Sequence, residues 1–147
     1  MSDLIRLGIG ERPWLPTPSS ETVEVFDRYN MPTAGLIKQD DRLFVFDCVE
    51  GHLMEGNVWV YAHVDAAEAR TIQEAEGDDF TRLFDRAFTG KRLMAALAIN
   101  ARLRSGTPVE DEAVKRLGLL KAVFDQLTTG LDIASETKNA MAQLVNC

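Results

Sequence analysis

The chain has 147 residues, of which 46% are hydrophobic and 27% are charged. These fractions are typical of a globular domain and exclude a disordered chain, a collagen or a coiled-coil rod. The formal net charge of −7 argues against a protein whose main task is to bind nucleic acid, because phosphate binding requires a net basic surface. A chain of this length is expected to fold as one domain, residues 1–147, without a disulfide or a metal.

The beginning of the sequence contains no basic stretch followed by an apolar run of the length that a secretory signal peptide requires. The longest apolar run, residues 93–99, is far shorter than the roughly 20 residues that span a bilayer. We therefore expect a cytoplasmic protein without a membrane partner, in which Cys48 and Cys147 are reduced thiols.

Residues 1–20 are predicted to form an extended, Pro-rich arm. Pro13, Pro16 and Pro18 fix the backbone around Trp14, which is the one large apolar anchor of this segment. Trp14 can dock either on the protein's own core or on a partner protein, and both interpretations remain open at this point.

Residues 22–64 have the alternating pattern of β-strands. Asp40 and Asp41 separate two strand-like segments by the length of a two-residue hairpin turn. No helical crossover fits between the strands, so the sequence predicts an antiparallel meander of three to four strands.

Three polar-tipped or aromatic residues share one face of the last predicted strand, Trp59, Tyr61 and His63. If another part of the chain covers this face, these residues belong to the core. If it stays uncovered, they are candidates for a protein interface together with Trp14, because Trp and Tyr are favoured at such sites.

After residue 64 the apolar period changes from 2 to about 3.6, which is typical of helices. Asp65 and Glu68 resemble a capping box at the start of a short helix that reaches about Glu76. A second amphipathic helix is predicted from the apolar stripe Phe80, Leu83, Phe84, Ala87 and Phe88.

Residues 91–104 are predicted to form the central core helix, because residues 93–99 are apolar all round. Thr107, Pro108 and Glu110 match the cap, the first position and the third position of a further helix. That helix would pack on 91–104 as a helix hairpin, and a last helix would span 135–145. The predicted fold class is α+β: an N-terminal antiparallel β-meander of three to four strands followed by four to five helices over 65–147.

The densest reactive cluster of the sequence contains Cys48, His52 and His63. A thiol and imidazoles can form a nucleophile and its base, or can bind zinc. The alternative is a buried Cys48 that acts as a small apolar residue. No cofactor is assigned, and no other residue pattern indicates catalysis.

Charge is segregated along the sequence, with −10 over residues 1–79 and +5 over residues 80–121. Arg82, Arg86 and Arg92 are therefore candidates for binding an anion, and the alternative is an ordinary solvated face. The favoured function is a small, non-catalytic interaction or regulatory protein that binds a basic partner, as an immunity protein or antitoxin would, or self-associates as a homodimer. The two alternatives are a thiol- or metal-dependent enzyme and an anion- or nucleotide-binding module.

Overall fold

The computed structural model describes residues 4–28, 31–52 and 56–110. In this part of the chain, six strands form one antiparallel sheet in sequential order, and two helices connect the fourth strand to the fifth. Neither of these helices is long and apolar enough to cross a membrane. The elements are β1 (Ser20–Arg28), β2 (Pro32–Gln39), β3 (Arg42–His52), β4 (Gly56–Val64), α1 (Ala66–Glu74), α2 (Gly77–Ala87), β5 (Arg92–Ile99) and β6 (Arg102–Glu110).

The first half of the sheet follows the alternation of the sequence. The predicted two-residue hairpin is confirmed, because Gln39 of β2 pairs with Arg42 of β3. Asp40 occupies the left-handed region in this turn, with φ of 56°. Asp is one of the few non-glycine residues that adopt this conformation readily, which explains how a turn without glycine forms here.

The prediction of four to five helices after the meander is wrong. The predicted core helix over 91–104 is a β-hairpin of β5 and β6, which turns at Asn100 and Ala101, both with positive φ. An uninterrupted apolar run fits a buried helix, but it also fits a strand that is covered on both faces. Strand β5 lies between β4 and β6 and is of the second kind.

The helix start that was predicted at Thr107 is also wrong, because residues 107–110 belong to β6. Pro108 lies opposite Met94 of β5. Proline has no N–H to donate to a ladder and is therefore found mainly on edge strands, and β6 is the last strand in the order of the described sheet. The remainder of the predicted helix hairpin and the helix over 135–145 lie outside the described residues.

The two helices before β5 agree with the sequence pattern. Helix α1 starts as predicted, because the Asp65 side chain accepts a hydrogen bond of 2.7 Å from the Glu68 backbone N–H. The apolar stripe of α2 packs on the sheet, with Phe84 and Ala87 buried. Helix α2 begins after Glu76, which makes no side-chain cap.

The sheet is covered on both sides. On the first side, which we call the helix face, α1 and α2 cover alternate residues of the central strands. On the second side, which we call the arm face, the N-terminal segment lies over the other residues. The buried residues of the arm face are Ile5, Met31, Ile37, Phe44, Phe46, Trp59, Tyr61, Ala96, Ala98, Ala101 and Leu103.

The N-terminal segment is held in place by backbone pairing. Leu103 of β6 accepts a hydrogen bond from Gly10 N–H and donates one to the Glu11 carbonyl, both of 2.8 Å. The buried side chain of Gln39 accepts from Arg6 N–H and donates to the Arg6 carbonyl. Because these bonds satisfy backbone groups of the arm against both β2 and β6, the arm is a third layer of the fold.

Candidate functional site

Strand β3 separates the two reactive residues that are neighbours in the sequence. Asp47 lies opposite Val60 of the helix face, and Cys48 lies opposite Trp59 of the arm face. Cys48 packs against the apolar residues of the arm face, and this burial, with a smaller effect of Asp47, raises the pKa of its thiol to about 12. A thiol with this pKa is protonated at neutral pH and is a poor nucleophile.

The structure does not bring Cys48 and His63 together. His63 pairs with Phe44, four residues before Cys48 on β3, so the two side chains lie about 13 Å apart along the strand. The His63 ring contacts the Phe44 ring, with 5.5 Å between the centroids. The His52 side chain lies outside the described part, and among the described residues no three acids, histidines or cysteines are placed to hold a metal ion.

The aromatic residues of β4 belong to the core of the arm face. Trp59 and Tyr61 are at most 1% exposed. Trp14 covers Trp59, with 6.3 Å between the ring centroids, and the Tyr61 hydroxyl donates a hydrogen bond of 2.6 Å to the Pro13 carbonyl. The cover is therefore the protein's own arm, and His63 is the only one of the three β4 candidates that reaches the rim of the sheet.

The three candidate arginines are exposed and lie on two elements. Arg82 and Arg86 are on α2, and Arg82 donates a hydrogen bond to Asp79 one turn earlier. Arg92 begins β5 and lines a cleft beside His63. The arginines of α2 and the arginine of β5 are thus parts of two surfaces rather than of one basic band.

Acidic residues collect at the β1 edge of the sheet and on the helices beside it. Helix α1 is tied to β1 by a hydrogen bond of 3.0 Å from Gln73 to Glu24, and α2 is tied to it by ring contacts of Phe26 with Phe80 and Phe84. We call the carboxylates of this region the acidic surface: Glu21, Glu24, Asp27, Glu74, Glu76, Asp78, Asp79 and Asp85. Residues 20–28 and 74–87 together carry a net charge of −5.

The opposite edge of the sheet has the opposite charge. Residues 91–110, which contain the β5–β6 hairpin, carry a net charge of +3. Because β1 and β6 are the two ends of a six-strand order, the charges that the sequence separates along the chain are separated in space as well. A positively charged molecule is therefore attracted more strongly to one edge of the sheet than to the other.

Asp47 belongs to the reactive cluster of the sequence, residues 47–52 with His63, but the sequence interpretation gave it no role of its own. Its pKa rises to about 7 because the carboxyl is buried and because Asp85 and Asp27 lie near it, against a smaller opposing effect of the Cys48 backbone N–H. The signal in the sequence is the spacing of Asp47, which follows Leu43 and Val45 at every second residue of the strand. Leu43 and Val45 both face the helices, so Asp47 is on the same face. An acid in such a row is expected to be desolvated.

A cleft of about 450 Å³ opens at the end of the sheet where α1 begins and β5 starts. The residues that line it are mostly charged or polar: His63, Asp65, Glu68, Gly90, Lys91 and Arg92. The ammonium group of Lys91 lies between both carboxylate oxygens of Glu68, at 3.1 Å each, and the His63 carbonyl, at 2.8 Å. The cleft therefore contains the ion pair of Lys91 and Glu68 and two further basic residues, His63 and Arg92.

Comparison with known proteins gives no relative: no family description, no curated protein and no solved structure matches this chain.

Proposed function

We propose that this protein is a non-catalytic binding protein of the cytoplasm, and that it contacts a basic partner protein through the acidic surface. The observation that carries this proposal is the net charge of −5 on residues 20–28 and 74–87, at the sheet edge opposite the basic hairpin. Such segregated charge speeds the encounter with a partner of opposite sign and fixes its orientation.

The acidic surface is also poorly compensated from within. Residues 20–28 and 74–87 contain eight carboxylates and three arginines, and Lys38 of β2 lies opposite Glu21. Asp27 and Asp85 are close enough to Asp47 to raise its pKa. Cationic side chains of a partner would reduce this repulsion, which favours a basic partner over a neutral one.

A thiol or metal enzyme is less well supported, because Cys48 has a raised pKa and is about 13 Å along the strands from His63. A thiolate nucleophile needs the opposite environment, with nearby positive charge and access to solvent.

The proposal is tested with a fluorescently labelled peptide of about ten lysines as the basic probe, whose binding is followed by anisotropy at about 20 mM and about 200 mM NaCl. The triple variant Glu21→Gln, Asp27→Asn, Asp85→Asn removes three charges from the acidic surface. We expect its affinity at low salt to be about tenfold weaker than that of the natural protein, since each exposed ion pair contributes up to about 1 kcal/mol.

The matched control is Glu11→Gln, Asp41→Asn, Glu110→Gln, which changes the net charge equally but lies on the arm, the β2–β3 turn and the end of β6. It should retain at least most of the affinity. Equal losses in both triple variants would mean that the peptide senses only total charge and would refute the acidic surface as the site. Dimers that form at low salt and are lost in the first variant alone would identify a second copy of this chain, in place of another protein, as the partner.

A further inference from the structure

The cleft at the end of the sheet exists because β4 and β5 separate there. Their ladder continues to the pair Tyr61 and Met94, and beyond it the His63 carbonyl accepts its hydrogen bond from the Lys91 side chain instead of from a strand. The opening of about 450 Å³ has the size of a small-molecule site.

Both acids of the cleft are already bound within the protein. Asp65 accepts the hydrogen bond that caps α1, and Glu68 takes the Lys91 ammonium with both of its carboxylate oxygens. The Lys91 and Glu68 side chains are about one-third exposed, 29% and 32%, so the pair forms part of the wall rather than a freely solvated surface pair. The charge of Glu68 is thus compensated by Lys91.

The two remaining basic side chains, His63 and Arg92, line the same cleft. Tyr61 and Met94 are the last pair of the ladder, and His63 and Arg92 each lie two residues beyond it, on the same face of their strands as that pair. Among the described residues, neither the Arg92 guanidinium nor the His63 ring nitrogens have a hydrogen-bond partner. These donors are therefore available to a ligand that lies in the cleft.

We propose that this cleft binds a small molecule through an oxyanion, either a phosphoryl or a carboxylate group, held between the His63 imidazole and the Arg92 guanidinium. Arginine fits such groups with two parallel N–H donors. The rest of the ligand lies beside Gly90, where a Cβ atom would have no neighbour within 4 Å. This site is separate from the acidic surface and does not depend on the proposed function.

The test follows the side-chain NMR signals of the histidines. The chain has two histidines, so the variant His52→Gln assigns the imidazole signals of His63. Inorganic phosphate, acetate and chloride are titrated separately at equal ionic strength. We expect phosphate, and acetate if the site accepts carboxylates as well, to shift the His63 signals in a saturable way, whereas chloride leaves them in place.

The variant Arg92→Gln should weaken this response at least about tenfold, because it removes a charged hydrogen-bond donor. Arg28→Gln is the matched control, since Arg28 is equally exposed but lies on β1 at the other edge of the sheet. Because both arginines are exposed, neither substitution disturbs the core. An unresponsive His63, an equal response to chloride, or equal losses in the two arginine variants would each overturn the oxyanion site.

Discussion

Asp47 shows how one side chain can set the pH response of this protein. It shares the helix face of β3 with Leu43, Val45 and Val49, which all pack against the apolar core. Burial first, and then the charges of Asp85 and Asp27, disfavour its ionised form and bring its pKa to about 7. At neutral pH the folded protein thus holds a carboxyl that is about half protonated.

The first prediction concerns the stability of the variant Asp47→Asn. An unfolded Asp has a pKa near 3.9, so between about pH 4 and pH 7 the folded protein binds more protons than the unfolded chain, and its stability falls as the pH rises through this window. The full shift corresponds to at most about 4 kcal/mol, and because Asp47 is only partly buried we expect about 2 kcal/mol. Urea unfolding at pH 5 and at pH 8 should show that Asn at this position removes that loss.

The control for this measurement is Asp41→Asn, a change of the same type at an exposed position of the β2–β3 turn. It should keep the pH dependence of the natural protein. If Asp47→Asn lost as much free energy of unfolding between pH 5 and pH 8 as this control, the carboxyl of Asp47 would not be the group that titrates.

Among the elements, the N-terminal arm has the most distinct role. It covers the arm face with a few contacts: Trp14 on Trp59, the Pro13 carbonyl on Tyr61, and the paired backbone around Leu103. This segment lies over Trp59 and Tyr61, which are at most 1% exposed. The arm is therefore one of the parts of the chain that cover the aromatic surface of β4.

The second prediction is that Trp14→Ala loosens the arm. Truncating a half-buried Trp should lower the free energy of unfolding by about 2 kcal/mol. Trp14 and Trp59 are the only tryptophans of the chain, so the fluorescence of this variant reports on Trp59 alone and should move to longer wavelength as water reaches the ring. Ile9→Ala is the control within the same arm, because Ile9 is 67% exposed and should cost at most about 0.5 kcal/mol. If the emission wavelength of Trp59 remains typical of a buried ring in this variant, other parts of the chain cover Trp59.

The elements also show where sequence patterns suffice and where they do not. Strands β1 to β4 and the start of α1 were predictable, because alternation with a period of 2 and the Asp65 cap are local signals. Strand β5 was not, since a strand covered on both faces loses its alternation and resembles a buried helix. Its turn was hidden as well, because Ala101 adopts a positive φ that alanine rarely takes.

The candidate site was predictable only in part, for a similar reason. The sequence indicated the reactive residues Cys48 and His63, but their distance depends on strand register, which single-sequence patterns do not provide. Arg92 and His63 line the same cleft because β5 lies beside β4. The helix predicted over 91–104 could not have indicated that these two residues are neighbours. The segregation of charge was visible in the sequence, whereas its placement at opposite sheet edges follows from the sequential strand order.

On the scale of the whole molecule, the acidic surface and the partly protonated Asp47 are coupled. Asp27 and Asp85 belong to the acidic surface, and their charges help to keep the proton on Asp47. A cationic group that binds between them offsets their charge and lowers the pKa of Asp47. Binding of a basic partner at this place must therefore release protons, and protons must weaken the binding by the same linkage.

The last prediction is the size of this release when the labelled lysine peptide binds at pH 7. With a pKa of about 7, Asp47 has about half a proton to lose, so the release should approach but not exceed about 0.5 proton per bound peptide. Calorimetric titrations in two buffers with different ionisation enthalpies measure it directly. In the variant Asp47→Asn the two buffers should give the same binding enthalpy, although the peptide still binds the exposed carboxylates. If the natural protein binds the peptide with the same enthalpy in both buffers, no proton is released. The peptide would then bind away from Asp27 and Asp85, and the protonation of Asp47 would not be linked to partner binding.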